Sequence, residues 1–466
     1  MSSTALVVRS GAQLSRRALV FLVASNAAAG VLAACRAAPS TGGQPGTPQK
    51  QVEISIYHRQ AYTTELDQQV FPPAYELFRQ QTGITVNETI LNEGDIPDKL
   101  TAAIAGGAPP DGSYVHPQWV ASMASRGMLV PLESYIAKDR ALNLPDIYPA
   151  LLDYFRFPTS GGKLYGLPFY SGPSITVFNR ALFEREGVPA PDELEKQGRW
   201  TWDMVREVSI KLTKGEGPTK TWGWDGITTA LHFLNIIIWG YGGDLWDKDL
   251  TRTLLGEPPA VAALQDYADL RAKYNVVAEG PEVQNIPSSR AGRLPSGRVA
   301  ARYGIKADIP TLAVGSGQGI VPGIAPIPKG PAGRFVRNGP NSFMIPQGSK
   351  HPDEVYRLIA WMTSMDFQRF QFAISATVAV RRTLMDSPEF QGSLQPWEPL
   401  AVWKEAAERD RALPMSARHS EIQRLFGPAY TEVKEGKATV RQIMERLVPQ
   451  INALLQEAKA VSAPGR

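Results

Sequence analysis

The chain has 466 residues, 43% of them hydrophobic and 20% charged, with a formal charge of +4; that is room for two or three ordinary domains and an ample core. Residues 1–34 hold three arginines and no acid, so residues 35–466 balance 46 basic against 45 acidic side chains, which argues against a nucleic-acid partner. One cysteine and five isolated histidines leave no internal disulfide, no Cys-based metal site and no HExxH zinc pattern, and no cofactor or metal is expected.

The N-terminal segment places Arg9, Arg16 and Arg17 before a mostly apolar run over 18–34, then Leu32-Ala33-Ala34-Cys35. Charged region, apolar region and small-residue cleavage site follow in the order of a secretory signal. The segment resembles a bacterial lipoprotein signal, which implies cleavage after residue 34 and lipidation of Cys35. An ordinary cleaved signal and a retained anchor are the alternatives, and a run of this length and Ala content is short for a membrane span. Arg16-Arg17 also resembles a twin-arginine export signal, with Ala18 and Leu19 where that pattern favours an early Phe. Residues 35–50, rich in Pro, Gly, Ser and Thr, read as a flexible stalk.

Val52, Ile54 and Ile56 alternate with Glu53 and Ser55, a strand pattern. A helix follows, with Thr64 and Asp67 as a variant capping box, Pro72-Pro73 inside it and Gly83 as its C-cap. Residues 84–86 form a second strand, 96–105 a helix, 113–115 a third strand and 119–126 a helix, which together predict a parallel α/β sheet. Gly161-Gly162-Lys163 reads as a hairpin turn, 174–178 as a strand and 179–186 as a helix. Thr201 is a good N-cap for the helix through Met204, Val205, Val208 and Leu212. Residues 233–239 are an apolar run, 261–274 an amphipathic helix, 338–346 strand-like, and 352–362 and 367–373 helical. One face of the last helix carries Val440, Ile443, Met444, Leu447, Ile451, Leu454 and Leu455.

Several stretches in this order carry a resemblance: AGGAPPDGSYVHPQWV (105–120), GGKLYGLPFY (161–170), VFNRALFEREGVPAP (177–191), WTWDMVREVSIKLT (200–213), WGYGGDLW (239–246), SGRVAARYG (296–304) and SKHPDEVYRLIAWMTS (349–364). From about residue 52 to 460 the chain resembles the extracellular solute-binding proteins of ABC transporters, in the sugar-binding group that includes maltose-binding protein. The resemblance implies an α/β, two-lobed periplasmic-binding-protein fold (type II-like), with an interlobe cleft and a helical C-terminal region. It implies crossings between lobes at about 167–170, 324–329 and 376–382. Lobe 1 would then hold 51–168 and 325–376, and lobe 2 would hold 169–324 and 377–466. The implied partners are a small carbohydrate solute and ABC permease subunits; a monomer on a lipid anchor is expected.

Sugar recognition needs flat apolar faces and planar hydrogen-bonding groups, placed where strands end and loops begin. On that ground the candidates are Tyr57, His58, Arg59, His116, Gln118, Trp119, Tyr170, Trp239, Tyr241, Asp244, Asn341 and Arg381. Trp119 and Trp239 are the expected stacking residues, and each aromatic has core packing as its plainer alternative. Trp200, Trp202, Trp222 and Trp224 are assigned to packing. Where the family usually has an aromatic after the GRVA strand, Gly304 is followed by Ile305 and Lys306. Together with Arg290, Arg293, Arg298 and Arg302, Lys306 raises an anionic ligand as an alternative, against a solvated face paired with acids. A glycoside hydrolase would need two carboxylates, for which Asp225, Asp244 and Asp247 are the available acids, and no nucleophile–base motif is present; a surface adhesion or scaffold lipoprotein is a further alternative.

Overall fold

The computed structural model describes residues 52–462 except 61–67, 159–160, 227, 290 and 316–319. Cys35, Arg16, Arg17, the 35–50 stalk, Thr64, Asp67 and Arg290 lie outside the described residues.

The first sheet has the order β10-β3-β1-β2. Strand β1 (Val52–Arg59) buries Ile54, Ile56 and His58 and exposes Glu53 and Ser55, as its alternation requires. It pairs in parallel with β2 (Ile84–Leu91) and with β3 (Gly112–Tyr114), whereas β10 (Phe343–Met344) joins β3 antiparallel from much later in the chain. The helix Phe71–Thr82 that crosses between β1 and β2 buries Phe71, Ala74, Tyr75 and Phe78, one stripe at helical spacing. Gly83 ends it at φ 74°, in the left-handed region, with its N–H on the Arg79 carbonyl.

The second sheet is mixed, with order β7-β8-β6-β9. Its centre, β6 (Ile175–Asn179), is buried along its whole length and runs antiparallel to both β8 (Val299–Gly304) and β9 (Pro322–Ala325). Strand β7 (Trp222–Trp224) adds in parallel to β8. A small hairpin of β4 (Arg156–Phe157) and β5 (Lys163–Leu164) precedes this sheet, with Gly161-Gly162 in its turn. Thr201 caps the helix Trp202–Leu212 by accepting from the Met204 N–H at 3.2 Å. The apolar run at 233–239 is a helix, Leu231–Gly240, buried on nearly every side.

The core divides into two large apolar clusters. One gathers Ile54, Ile56, Phe78, Tyr114 and Phe343 around the first sheet, and the other gathers Phe178, Trp200, Trp224, Trp239, Leu264 and Tyr430 around the second. Three segments run side by side between the sheets. Phe169 N–H bonds to Asn341 O at 2.9 Å, and Gly172 N–H to Asn338 Oδ1 at 2.8 Å. Val378 N–H bonds to Ser171 O at 2.9 Å.

These strips lie at 167–172, 337–342 and 377–380. Residues 326–329 remain bonded to the second half, because Trp200 Nε1 donates to Pro326 O at 3.0 Å and Lys329 N–H to Trp200 O at 2.9 Å. Met385, Phe390 and Trp403 belong to the first cluster, and the chain joins the second from Leu413 onward.

Candidate functional site

A cavity of about 520 Å³ opens between the two sheets. One wall is the carboxyl end of the first sheet, where β3 runs into His116 and Gln118, the usual ligand position of an open α/β sheet. The opposite wall is the end of β8, with Arg302, Tyr303, Ile305 and Asp308, and the first turn of the Leu231–Gly240 helix, with His232 and Phe233. The strips between the sheets contribute Tyr170, Gly172, Arg337, Gly339 and Asn341.

Aromatic faces and fixed polar groups meet here. Tyr303 stands edge-on to Phe233 at 5.4 Å, and its hydroxyl donates to Ser174 Oγ at 3.0 Å. Asn341 Oδ1 accepts from the Tyr114 hydroxyl at 3.2 Å. His116 caps the helix Pro117–Ser125, its Nδ1 accepting from the Gln118 N–H at 3.3 Å. That bond leaves Nδ1 as the acceptor of a neutral ring, so Nε2 carries the proton.

Burial and then the Arg337 charge push the His116 imidazole down to about 3 and hold His232 well below the ordinary histidine range. Burial likewise takes His419, behind His232 at 6.2 Å between rings, down to about 4. All three rings are neutral near pH 7; His116 and His232 face the cavity, whereas among the described residues neither ring nitrogen of His419 finds a hydrogen-bond partner. Among the described residues, no grouping of His, Cys, Asp and Glu could hold a metal ion.

Of the residues singled out from sequence, His116, Gln118, Tyr170 and Asn341 line the cavity. The others lie elsewhere. His58 is buried in the first core, its Nδ1 3.0 Å from Glu88 and its ring against Phe71 at 4.3 Å. Tyr57 packs half-buried on the same core, and Arg59 is buried with its guanidinium 5.2 Å from the Tyr114 ring. Trp119 packs half-buried beside His116, ring to ring at 5.7 Å.

Trp239 is 1% exposed, and no stacking face is left on it. Its Nε1 donates to Asp244 at 2.9 Å, and the Arg411 guanidinium covers its ring at 4.2 Å. Asp244 also accepts from Arg411 at 2.7 Å, and the Tyr241 hydroxyl donates to Asp266 at 2.8 Å. Arg381 braces the third strip through Thr363 O at 2.8 Å and Asn143 O at 3.0 Å.

The expected arginine cluster is largely self-neutralised. Arg293 and Arg302 share Asp225 at 3.4 and 3.8 Å, and Arg302 also meets Asp308 at 3.5 Å. Arg298 donates to the Lys220 and Gly217 carbonyls. Lys306 does not face the cavity; it is fully buried against Glu398 at 2.6 Å. Tyr303, just before Gly304, lines the cavity. His232, Phe233, Asp308, Arg337 and Gly339 were not legible as site residues, since no motif marks them.

Comparison with known proteins agrees with this architecture. The family model described as bacterial extracellular solute-binding protein matches residues 60–369. A binding protein of Brucella abortus is 25% identical over 300 residues, covering 62% of this chain and 67% of that protein. The erythritol/L-threitol-binding protein of Mycolicibacterium smegmatis is 24% identical over 232 residues, covering 45% of this chain and 49% of that protein. In fold, the chain superposes on an ABC substrate-binding protein of Listeria monocytogenes solved with cycloalternan. The TM-score there is 0.75 at 18% identity, over 87% of this chain and 100% of that one.

Proposed function

The chain belongs to the bacterial extracellular solute-binding proteins, and from that membership we propose that it captures a sugar or polyol in the cleft between its sheets and delivers it to the permease of an ABC importer. The observation that carries this reading is the composition of the cavity. Tyr170, Phe233 and Tyr303 offer flat apolar faces, and Gln118, Asn341 and the neutral His116 and His232 offer planar polar groups, drawn from both sheets and the strips between them. C–H faces of a pyranose or an extended polyol suit the rings, and hydroxyls suit the amides and imidazoles. A relative that binds erythritol and L-threitol points to the same ligand class.

Capture works by a shift of population. A solute that touches both walls stabilises the arrangement in which the walls are close, by the difference in its affinity for the open and closed states. The strips at 167–172, 337–342 and 377–380 are few and short, as befits segments that absorb a rotation of one half against the other. The closed form docks on the permease, and ATP hydrolysis on other subunits reopens it. A hydrolase would need two carboxylates astride the bond. Asp308 is the one acid among the described lining residues, and Asp225, Asp244 and Asp247 are bonded to Arg293, Arg411 and Thr251.

The tether belongs to the same reading. Lipidation at Cys35 and the 35–50 stalk would hold the binder close to its permease and raise its effective concentration there. Among the described residues no helix is long and apolar enough to cross a membrane.

The test is a thermal-shift panel of sugars and polyols. The true solute should stabilise the protein by about 2.7 kcal/mol at a hundredfold excess over Kd. Chemical turnover of a bound solute would refute capture for transport.

A further inference from the structure

Most cations around the cleft are neutralised within the chain: Arg293 and Arg302 by Asp225 and Asp308, and Lys306 by Glu398. Arg337 is different. It is only 8% exposed and lines the cavity. Among the described residues its guanidinium makes no ion pair within 4 Å and donates no hydrogen bond; only its backbone is bonded, the N–H to Ser174 Oγ at 3.1 Å and the carbonyl accepting from the Ser174 N–H at 2.9 Å.

Its position is built. The guanidinium carbon lies 4.1 Å from the centre of the Phe233 ring, so one face is stacked and shielded from water. Gly339 lies beside it: a Cβ there would sit 3.4 Å from Nη2 and 3.5 Å from Nη1, in ordinary van der Waals contact with the group. Asp410, whose field reaches Arg337 from beyond ion-pair distance, accepts from the Tyr154 hydroxyl at 3.1 Å, and desolvation raises it to about 7, so it is only partly charged near neutral pH. A buried cation without a counter-charge is costly. The cost is recovered when a ligand brings the charge, and a planar guanidinium is shaped for a two-oxygen anion.

We propose that Arg337 forms an anion subsite within the cleft, so that the captured solute is a polyol or sugar bearing a carboxylate or phosphate, with its oxyanion on Arg337 and its carbon skeleton against Tyr170 and Tyr303. This rests on the cleft being the solute site, as proposed above.

The test uses the full exported chain as wild type, Arg337→Met and Arg337→Lys, followed by thermal shift at constant ionic strength. The probes are inorganic phosphate, glucose, glucuronate and glucose 6-phosphate. Met keeps the packing on Phe233 and removes the charge; Lys keeps the charge. Inorganic phosphate is expected to raise the wild-type midpoint saturably, Arg337→Met to weaken that response about tenfold or more, and Arg337→Lys to retain part of it. A preference for glucuronate or for glucose 6-phosphate separates a carboxylate solute from a phosphate solute. No phosphate response in wild type, or an equal one in Arg337→Met, overturns the subsite. If neutral sugars still bind in that case, carbohydrate capture stands and only the subsite falls. A phosphate response confined to the proteins with a cation at 337, alongside silence from every carbohydrate, upholds the subsite and counts against carbohydrate capture.

Discussion

Lys306 and Glu398 offer a quantitative probe of how the cleft wall is held. Lys306 follows β8, the strand that carries Arg302 and Tyr303 to the cavity, and Glu398 comes from the stretch just before the helix Leu400–Glu408. Both side chains are fully buried and meet at 2.6 Å, and burial pushes the Lys306 ammonium below its ordinary range although Glu398 opposes that shift. Glu398 also accepts from the Gln395 N–H at 2.9 Å and from Trp403 Nε1 at 3.2 Å. Lys306→Met leaves that carboxylate in the core with two neutral donors and no cation. Breaking one side of such a pair costs about 3–5 kcal/mol, whereas replacing both sides with apolar groups of similar volume is often close to neutral. The double variant Lys306→Met, Glu398→Leu is therefore expected to recover most of what the single variant loses. Equilibrium urea unfolding of wild type, the two single variants and the double variant gives the coupling directly. The reasoning is refuted if Lys306→Met unfolds within about 1 kcal/mol of wild type, or if the double variant loses the sum of the two single losses.

Four further outcomes are expected, three from the described geometry and one from the sequence signal. Phe233→Ala and Tyr303→Ala should each weaken the solute about 10- to 100-fold by calorimetric titration, as loss of a buried aromatic contact does; an unchanged Kd would remove those rings from the site. Trp239→Phe should lower stability by about 1–3 kcal/mol, losing the Asp244 bond and core packing, while leaving solute affinity within about threefold. Acidification should destabilise the fold. Between about pH 6 and pH 4 the unfolded chain takes up protons that His116, His232 and His419 refuse when folded, while Asp410, raised by burial to about 7, already holds one in the fold. The depressed histidines lose stability as pH falls below their ordinary range, and the raised Asp410 gains it. The net two protons favour unfolding by roughly 3 kcal/mol per pH unit, so urea midpoints that stay flat or rise from pH 6 to pH 5 would contradict these burials. Cys35→Ala should move the exported protein from the membrane fraction to the soluble one, and continued membrane retention would argue for another anchor.

What could be read from the residues alone followed from periodicity and caps. The alternation at 52–56 made β1, Gly83 closed the first helix as its C-cap, and Thr201 capped the helix it was assigned. The cleft was half legible. Gln118, Tyr170 and Asn341 follow a strand end or a crossing, where position alone narrows the choice. The second wall was hidden because the Leu231–Gly240 helix is apolar on nearly all sides, so nothing in its pattern tells Phe233 at the cavity from Trp239 in the core. Trp239 is withheld from a ligand by Arg411, which lies far along the chain and joins it only in the fold. Arg337 lies in an irregular strip with no period to read, and what sets it apart from Arg302 at the same cavity is that, among the described residues, its guanidinium has no acid within ion-pair distance. Charge alone drew attention to Lys306 and Arg302, which the fold satisfies internally.

The central claim is that one cleft, walled by the end of β3 on one side and the end of β8 on the other, holds the solute. A crystal structure with the most stabilising solute of the panel tests it most directly. The account predicts the solute between Gln118, Tyr170 and Asn341 on one side and Phe233 and Tyr303 on the other, within reach of Arg337. Solute bound instead in the groove between the helices Pro258–Ala272 and Val440–Ser462, or against Trp239, with the cleft open and empty, would contradict it.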